Sequence, residues 1–256
     1  NKYQEFVGRP LAEIPAPEGD GSYDDYFLKP FFESLEGVGV HPEVVNNYKF
    51  YNEGKFKDCT RTIIDNREKV REILETVSGR QLSKNWFPWT FKNNDGKLCN
   101  GKLIKYEWPY VYFENSDGGE VVNNLEKGEG KLPWRLDWPS KWKILGVTFE
   151  AFGKDHATKG GSYDTGKKII EDILDEKAPY IFDSITSEDR QHFEIMTRML
   201  NEMNIPYKHD NRLVRGLDYY SHTTFEITSS ALGSQDALCG GGRYNGLIEQ
   251  LGGKST

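Results

Sequence analysis

A glycine-rich stretch at residues 153–167 carries side chains suited to handling a nucleotide. A glycine, an acid and an imidazole lie close together in it, Gly153, Asp155 and His156, directly after the mostly apolar run Ile144–Phe152. In open α/β sheets, ligands bind at the carboxyl ends of the strands. We therefore predict a strand over residues 144–152 that delivers this loop to a nucleotide pocket. A plain strand–loop–helix connection, with His156 as a hydrogen-bonded loop residue, is the simpler alternative.

The same stretch also comes close to a phosphate-binding loop. Gly161, Gly166 and Lys167 have the spacing Gly-x-x-x-x-Gly-Lys. The next residue is Lys168, where such loops place the serine or threonine that binds Mg²⁺, and residues 156–160 do not form an apolar strand. The sequence therefore argues against a P-loop NTPase.

A second region combines an arginine, several tyrosines and a run of three glycines. It consists of Leu213–Tyr220, which contains Arg215, Thr223–Glu226 and Cys239–Leu247. Glycines at 240–242 would let the backbone approach a small ligand closely, because they have no side chains. The alternative is an ordinary turn with a surface arginine.

Hydrophobic spacing predicts the elements that position these residues. A helix is expected over Thr62–Val77, with Gly79 as its C-cap. A second helix, over Lys167–Leu174, is expected to be capped by Asp164 or Thr165. A linker is predicted at 181–188, and a capping-box-like start at Thr186 and Asp189 is expected to begin a further helix. Phe193, Met196, Leu200 and Met203 line one face of that helix and are predicted to be in the core. A strand at 223–228 and a turn at 240–242, before residues 247–251, complete the predicted elements.

All six tryptophans fall between Trp86 and Trp142, around short predicted strands. The strands cover 102–108, 111–114 and 120–122, with a turn at 115–119. We interpret the region as a small β-rich subdomain with an aromatic core. Aromatic faces that stack nucleic-acid bases are the alternative.

Composition limits the class of protein. The 256 residues carry a net charge of −7, so no bulk positive field attracts nucleic acid or membranes. Three widely spaced cysteines indicate neither a disulfide framework nor a zinc site, which predicts a cytoplasmic protein without a bound metal. The sequence has no long apolar run, so no membrane span is predicted either. The sequence starts at Asn1 and its first methionine is Met196, which suggests an excised piece.

Residues 1–172 resemble class I lysyl-tRNA synthetase. The resemblance is carried by Lys131–Pro139, Gly146–Phe149 and Phe152–Gly166, and by the opening Gly8–Pro15. It implies that Trp134 and His156 help to form a lysine pocket and that Gly153 and Asp155 lie near the adenosine. A planar aromatic ring can hold the aliphatic stem of lysine and attract its ammonium, and a neutral imidazole can accept a hydrogen bond from it.

Residues 175–256 are similar to class II histidyl-tRNA synthetase. The second region described above carries this resemblance, with residues 189–193 and 204–207. It implies that Arg215 is a catalytic cation at the α-phosphate of ATP, a role that suits a permanently charged guanidinium. It also implies a histidine pocket built from Tyr219, Tyr220, Tyr244 and Gly241.

The two resemblances together imply an α/β plus α+β protein. We expect a partial Rossmann-like parallel sheet with an inserted β-rich subdomain, followed by a class II-type antiparallel sheet fragment. The implied domains are an inserted helical and β-rich region at 1–130, a Rossmann fragment at 131–174 and a histidyl-type fragment at 175–256.

The implied function is ATP-dependent attachment of lysine, or histidine, to tRNA. ATP with Mg²⁺ would be a substrate, tRNA and the amino acid would be partners, and a homodimer is possible. The sequence has no His-x-Gly-His or Lys-Met-Ser-Lys-Ser element, and no recognisable class II motif 2 or motif 3. We therefore expect an incomplete catalyst. The alternative is a non-catalytic module that binds an amino acid or tRNA.

Overall fold

The protein divides into two compact units. The computed structural model describes residues 2–115, 118–210, 213, 220–229 and 237–254, and all of their side chains except those of residues 154, 181 and 250. The first unit contains residues 1–147 and 158–178, and the second contains residues 148–157 and 179–256. Within the described ranges, no helix is both long and apolar enough to cross a membrane.

After two 3-10 helices (Gln4–Phe6 and Leu11–Glu13), the first unit has four α-helices. They are α1 (Tyr23–Gly37), α2 (Asn47–Asn52), α3 (Lys57–Asp65) and α4 (Arg67–Ser78). The prediction of a single helix over 62–77 is wrong, because α3 ends before Asn66 and α4 begins after it. The side-chain amide of Asn66 donates to the carbonyl of Thr62 at 2.8 Å. The predicted C-cap is confirmed: Gly79 has φ of 67°, in the left-handed region that glycine adopts without strain.

Two small antiparallel sheets follow. The first has the order β2-β1-β6 and the second the order β3-β4-β5. Their bounds are β1 Thr90–Lys92, β2 Leu98–Cys99, β3 Lys102–Glu107, β4 Tyr110–Glu114, β5 Glu120–Asn124 and β6 Gly130–Lys131. The rings of Phe91 and Phe113 stack between the sheets with centroids 4.7 Å apart. The predicted β-rich subdomain with an aromatic core is confirmed.

A helix pair, α5 (Trp134–Leu145) and α6 (Ser162–Asp172), completes the first unit. The strand predicted over 144–152 is wrong. Helix α5 continues through Leu145 and ends at Gly146, which has φ of 60°, and the side chain of Phe149 is 51% exposed. Since every strand pairing in the described part of the chain is antiparallel, the predicted parallel sheet does not appear there.

Helix α6 begins earlier than predicted. Its N-cap is Gly161, so Asp164 and Thr165 lie inside the first turns and do not cap the helix. The carboxylate of Asp164 accepts from the backbone N–H of Gly160 at 2.9 Å, and the Thr165 hydroxyl donates to the carbonyl of Gly161 at 3.0 Å. These contacts tie the preceding loop to the helix.

In its described residues, the second unit contains a 3-10 helix (Lys154–Ala157), three α-helices and a pair of antiparallel strands. The α-helices and strands are α7 (Ile181–Ser184), α8 (Ser187–Glu202), β7 (Thr224–Thr228), β8 (Ala237–Gly242) and α9 (Asn245–Gln250). The capping box is confirmed, because the Thr186 hydroxyl accepts from the N–H of Asp189 at 3.1 Å. The end of α8 before the predicted breaker Pro206 is also confirmed.

Three predictions in the second unit are wrong. The linker at 181–188 begins with α7. No described residue of α8 is buried, and Met203, which follows it, is 65% exposed, so the predicted core face is not one. The glycines at 240–242 form the end of β8 rather than a turn, because they pair with β7, where Gly241 lies opposite Phe225.

Candidate functional site

Helix α5 presents an aromatic ladder. Its tryptophans recur every four residues, so their rings lie along one side of the helix. Trp134 stacks on Trp138 at 5.3 Å with an interplanar angle of 16°, and Trp138 lies 4.9 Å from Trp142. The inner rings, Trp138 and Trp142, are 3% and 2% exposed, whereas Trp134 is 48% exposed. The ladder therefore runs from the core to an accessible indole.

A glycine lets α6 approach the inner end of this ladder. A Cβ at Gly166 would lie 3.0 Å from Cη2 and 3.2 Å from Cζ3 of Trp142. The ring of Tyr163 also contacts Trp142, with centroids 5.8 Å apart. Gly166 and Tyr163 of α6 therefore pack directly against the Trp142 indole.

A buried polar network lies beside the ladder. The hydroxyl of Tyr51 donates to Oδ1 of Asp137 at 2.8 Å and accepts from the N–H of Leu132 at 3.1 Å. Burial, and then the nearby Asp137 carboxylate, raise the pKa of Tyr51 well above its ordinary value. The hydroxyl therefore stays protonated and holds the carboxylate.

Asp137 also holds a cation. Its Oδ2 lies 2.9 Å from Nζ of Lys141, one helical turn further along, and the Asp137 side chain is only 7% exposed. The same Nζ lies 5.3 Å from the ring centroid of Trp134, within the range of a cation–π contact. The accessible indole therefore already has an ammonium group beside it.

A partly buried arginine, Arg135, ties α5 to the loop before α6. Its Nη1 donates to the carbonyls of Gly160 and Gly161 at 3.3 and 3.4 Å. Burial, and then repulsion from Arg80, lower the pKa of Arg135 from its ordinary value. These contacts hold Gly160 and Gly161 against the helix that carries Trp134.

In the second unit, residues 153–156 form a compact turn. The backbone N–H of His156 donates to the carbonyl of Gly153 at 3.0 Å. Nε2 of His156 lies 3.7 Å from a carboxylate oxygen of Asp155, an ion pair only when the imidazole is protonated. A Cβ at Gly153 would lie 2.5 Å from the other carboxylate oxygen of Asp155. The fold thus brings together these three predicted residues, while Trp134 belongs to the first unit.

The second predicted pocket is described in part. The rings of Tyr220 and Tyr244 meet at 5.8 Å and 77°, and a Cβ at Gly242 would lie 2.8 Å from Cδ1 of Tyr220. Gly241 lies under the ring of Phe225 rather than against the tyrosines. The predicted residues Arg215 and Tyr219 lie outside the described residues.

Sequence reasoning missed the polar side of α5. Asp137 and Lys141 follow Trp134 by three and seven residues, which places all three on one face of a helix. That spacing was available once a helix over 134–145 had been recognised. Tyr51 comes from a distant helix, so no local pattern could have identified it.

In the part of the chain that the structure describes, no group of three or more His, Cys, Asp or Glu side chains could hold a metal ion.

Comparison with known proteins identifies the lineage of the chain. The family described as "tRNA synthetases class I (K)" matches residues 1–198. The chain is 39% identical over 178 residues to a lysine–tRNA ligase of Thermoplasma acidophilum, covering 69% of this chain and 35% of the relative. The chain is 41% identical over 181 residues to the lysine–tRNA ligase of Archaeoglobus fulgidus, covering 70% of this chain and 36% of the relative. It is 40% identical over 185 residues to lysine–tRNA ligase 1 of Methanosarcina acetivorans, covering 70% of this chain and 34% of the relative.

These alignments span about a third of the length of those relatives. The family match extends past the predicted junction near residue 175 and ends at residue 198, so residues 199–256 lie outside the match. Neither comparison supports a class II histidyl-type segment. The ladder of α5 and the glycine-rich stretch both lie inside the matched range. The chain belongs to the class I lysyl-tRNA synthetase family.

Proposed function

We propose that this chain supplies the lysine-recognition part of a protein that attaches lysine to tRNA at the expense of ATP. The observation that carries the proposal is the family match over residues 1–198, which contains Trp134 and residues 153–156. Relatives that share this region are lysine–tRNA ligases. Trp134 has a half-exposed indole at the end of the α5 ladder, and the resemblance assigns this ring to the lysine side chain.

The remaining roles in this proposal come from the resemblance. His156 would accept a hydrogen bond from the substrate ammonium, and Gly153 and Asp155 would lie near the adenosine. ATP would be a substrate, Mg²⁺ would enter with its phosphates, and tRNA would receive the lysine. The domain boundaries at 130 and 174 and a possible homodimer remain predictions.

We further propose that this chain binds lysine without activating it efficiently. The 256 residues contain neither the His-x-Gly-His nor the Lys-Met-Ser-Lys-Ser element that grips ATP phosphates in class I enzymes. Removing a single donor of this type typically lowers the rate by about 100- to 1000-fold. A non-catalytic module that binds an amino acid or tRNA is therefore the alternative.

Two measurements on the whole chain test this function. Isothermal titration with L-lysine should detect binding that Trp134→Ala weakens by at least about 10-fold, and ATP–pyrophosphate exchange with lysine should be at or near background. Robust lysine-dependent exchange would show a complete enzyme. Failure to bind lysine, with the chain folded by circular dichroism, would refute the lysine-recognition proposal.

A histidine pocket in residues 213–247 is a second, separate proposal. The packing of Tyr220 against Tyr244 beside a glycine-rich strand supports it. Isothermal titration with L-histidine tests it, and Tyr244→Ala should remove any binding seen. Equal heats from the parent and the Tyr244 variant would refute this pocket.

A further inference from the structure

The aromatic ring assigned to lysine recognition already has a cation of its own. Nζ of Lys141 lies 5.3 Å from the ring centroid of Trp134. A lysine substrate brings a second ammonium that would have to share the ring with Lys141, and the two cations repel, although the Asp137 carboxylate 2.9 Å from Nζ offsets part of this repulsion. The ring is therefore a poor place for the substrate ammonium.

Lys141 is fixed rather than loosely placed. Its ion-pair partner Asp137 is buried and is itself held by the Tyr51 hydroxyl. The same hydroxyl accepts from the N–H of Leu132, two residues before α5 begins. A buried carboxylate needs a counter-charge, so releasing Lys141 from it would be unfavourable. Substrate binding would not displace this ammonium.

The ring keeps another useful property. An indole offers a broad apolar surface as well as a cation-attracting face, and the lysine side chain has four methylene groups. Held by Trp138 on the ladder and by Lys141, the half-exposed indole of Trp134 has the shape and chemistry to pack against that aliphatic stem.

On the basis of the proposed function, we propose that Lys141 is a positioning residue that fixes the Trp134 indole and occupies its cation-attracting face. The substrate lysine therefore contacts this ring with its methylenes and not with its ammonium. Lys141 thereby helps to decide which part of the substrate is read at this position. The substrate ammonium is recognised by other groups.

A pair of ligands that differ only in charge tests the substrate half of the inference. L-Lysine and L-6-hydroxynorleucine have the same chain length, but only lysine has a terminal cation. We expect Trp134→Leu to weaken both ligands by the same factor, about 10-fold if roughly two methylenes lose their contact. A much larger loss for lysine would place the ammonium on the ring and overturn the proposal.

Variants of Lys141 test the positioning half. Lys141→Met should weaken both ligands equally, whereas Lys141→Arg, which keeps the cation and the ion pair, should bind like the parent. Tighter lysine binding by Lys141→Met, without a gain for 6-hydroxynorleucine, would show that the two ammonium groups compete for the ring, which contradicts the inference. Because Lys141→Met leaves Asp137 buried without a cation, Asp137→Asn/Lys141→Met serves as a second variant and should show the same equal loss.

Lys105 offers a matched control. Its Nζ lies 5.5 Å from the ring of Tyr112 and 2.8 Å from a carboxylate oxygen of Glu107, the same combination on an exposed sheet. Lys105→Met should leave the affinities for both ligands unchanged. An equal loss in this control would mean that removing any such lysine weakens binding, and it would overturn a specific role for Lys141.

A spectroscopic measurement separates this inference from the proposed function. In protein with ¹³C-labelled lysine, ring current from Trp134 should shift the ε-methylene protons of Lys141 upfield, and Trp134→Leu should remove the shift. Lys141→Arg assigns the signal. An unshifted signal in the parent overturns the contact whether or not lysine binds. A shifted signal in a protein that binds no lysine would refute the proposed function and the substrate half of the inference, and would leave only the contact.

Discussion

Replacing Tyr51 with phenylalanine tests the buried network beside α5. The substitution keeps the ring, which stacks on Phe56 with centroids 3.9 Å apart and an interplanar angle of 3°. It removes only the hydroxyl that donates to Asp137 and accepts from the N–H of Leu132. Any change therefore reports the two hydrogen bonds and not a cavity.

The expected loss of stability follows from burial. A hydrogen bond to a charged group typically contributes about 1.5–3 kcal/mol, and a buried group left without a partner costs about 1–3 kcal/mol. The two contributions do not add in full, because Asp137 still has its ion pair with Lys141 after the hydroxyl is removed. We expect Tyr51→Phe to lower the free energy of unfolding by about 2–4 kcal/mol.

Urea unfolding followed by tryptophan fluorescence measures this loss. All six tryptophans lie between residues 86 and 142, so the signal reports the first unit. The midpoint should fall with little change in the denaturant slope, as expected when stability and not compactness changes.

Tyr106→Phe is the matched control. Its hydroxyl also donates to a carboxylate, Oδ1 of Asp65, at 3.0 Å. The Asp65 side chain is 49% exposed, so water can replace the lost donor, and we expect a loss below about 1 kcal/mol. Equal losses from Tyr51→Phe and Tyr106→Phe would refute the argument that burial makes the Asp137 network strong.

Three further predictions concern ionisation, packing and thiol access. Burial and a neighbouring carboxylate raise the pKa of Tyr106 from 10.0 to about 12, so its contribution to stability should be complete below pH 10 and disappear as the pH rises through 12; phenolate absorbance of the parent and of Tyr106→Phe checks this. Gly166→Ala should lower the free energy of unfolding, measured in urea, by about 0–2 kcal/mol. Helix propensity would rise by about 1 kcal/mol, but overpacking against Trp142 would cost about 1–3 kcal/mol. Clear stabilisation would show that the ring can move aside. Burial raises the pKa of the Cys59 thiol, so a thiol reagent at neutral pH should modify exposed Cys239 quickly and Cys59 only on unfolding, and comparable rates in folded protein would contradict the assigned burial.

Local sequence rules predicted elements whose signals are short-range. The capping box at Thr186, the glycine C-cap at residue 79 and the three strands between 102 and 124 are set by neighbouring residues, and the structure confirms them. The break at Asn66 was missed because the apolar spacing continues through it. Residues 144–152 were misassigned because a short apolar run does not distinguish a strand from the end of a helix.

The candidate site divides in the same way. Trp134 and the turn at 153–156 were predicted from motifs that resemble a family. The cation beside Trp134 was not predicted, because it depends on the helical phase of α5 and on Tyr51, which is 86 residues from Asp137. Glycines at 240–242 were placed in a turn because their pairing with β7 is a tertiary interaction that composition does not reveal.

The most direct test of the account is equilibrium binding of L-lysine to the whole chain and to Trp134→Ala. We predict saturable binding by the parent and binding at least about 10-fold weaker by the variant, with both proteins equally folded by circular dichroism. Lysine binding that is unchanged by the loss of the indole, or no binding by the folded parent, would contradict the assignment of lysine recognition to this ring.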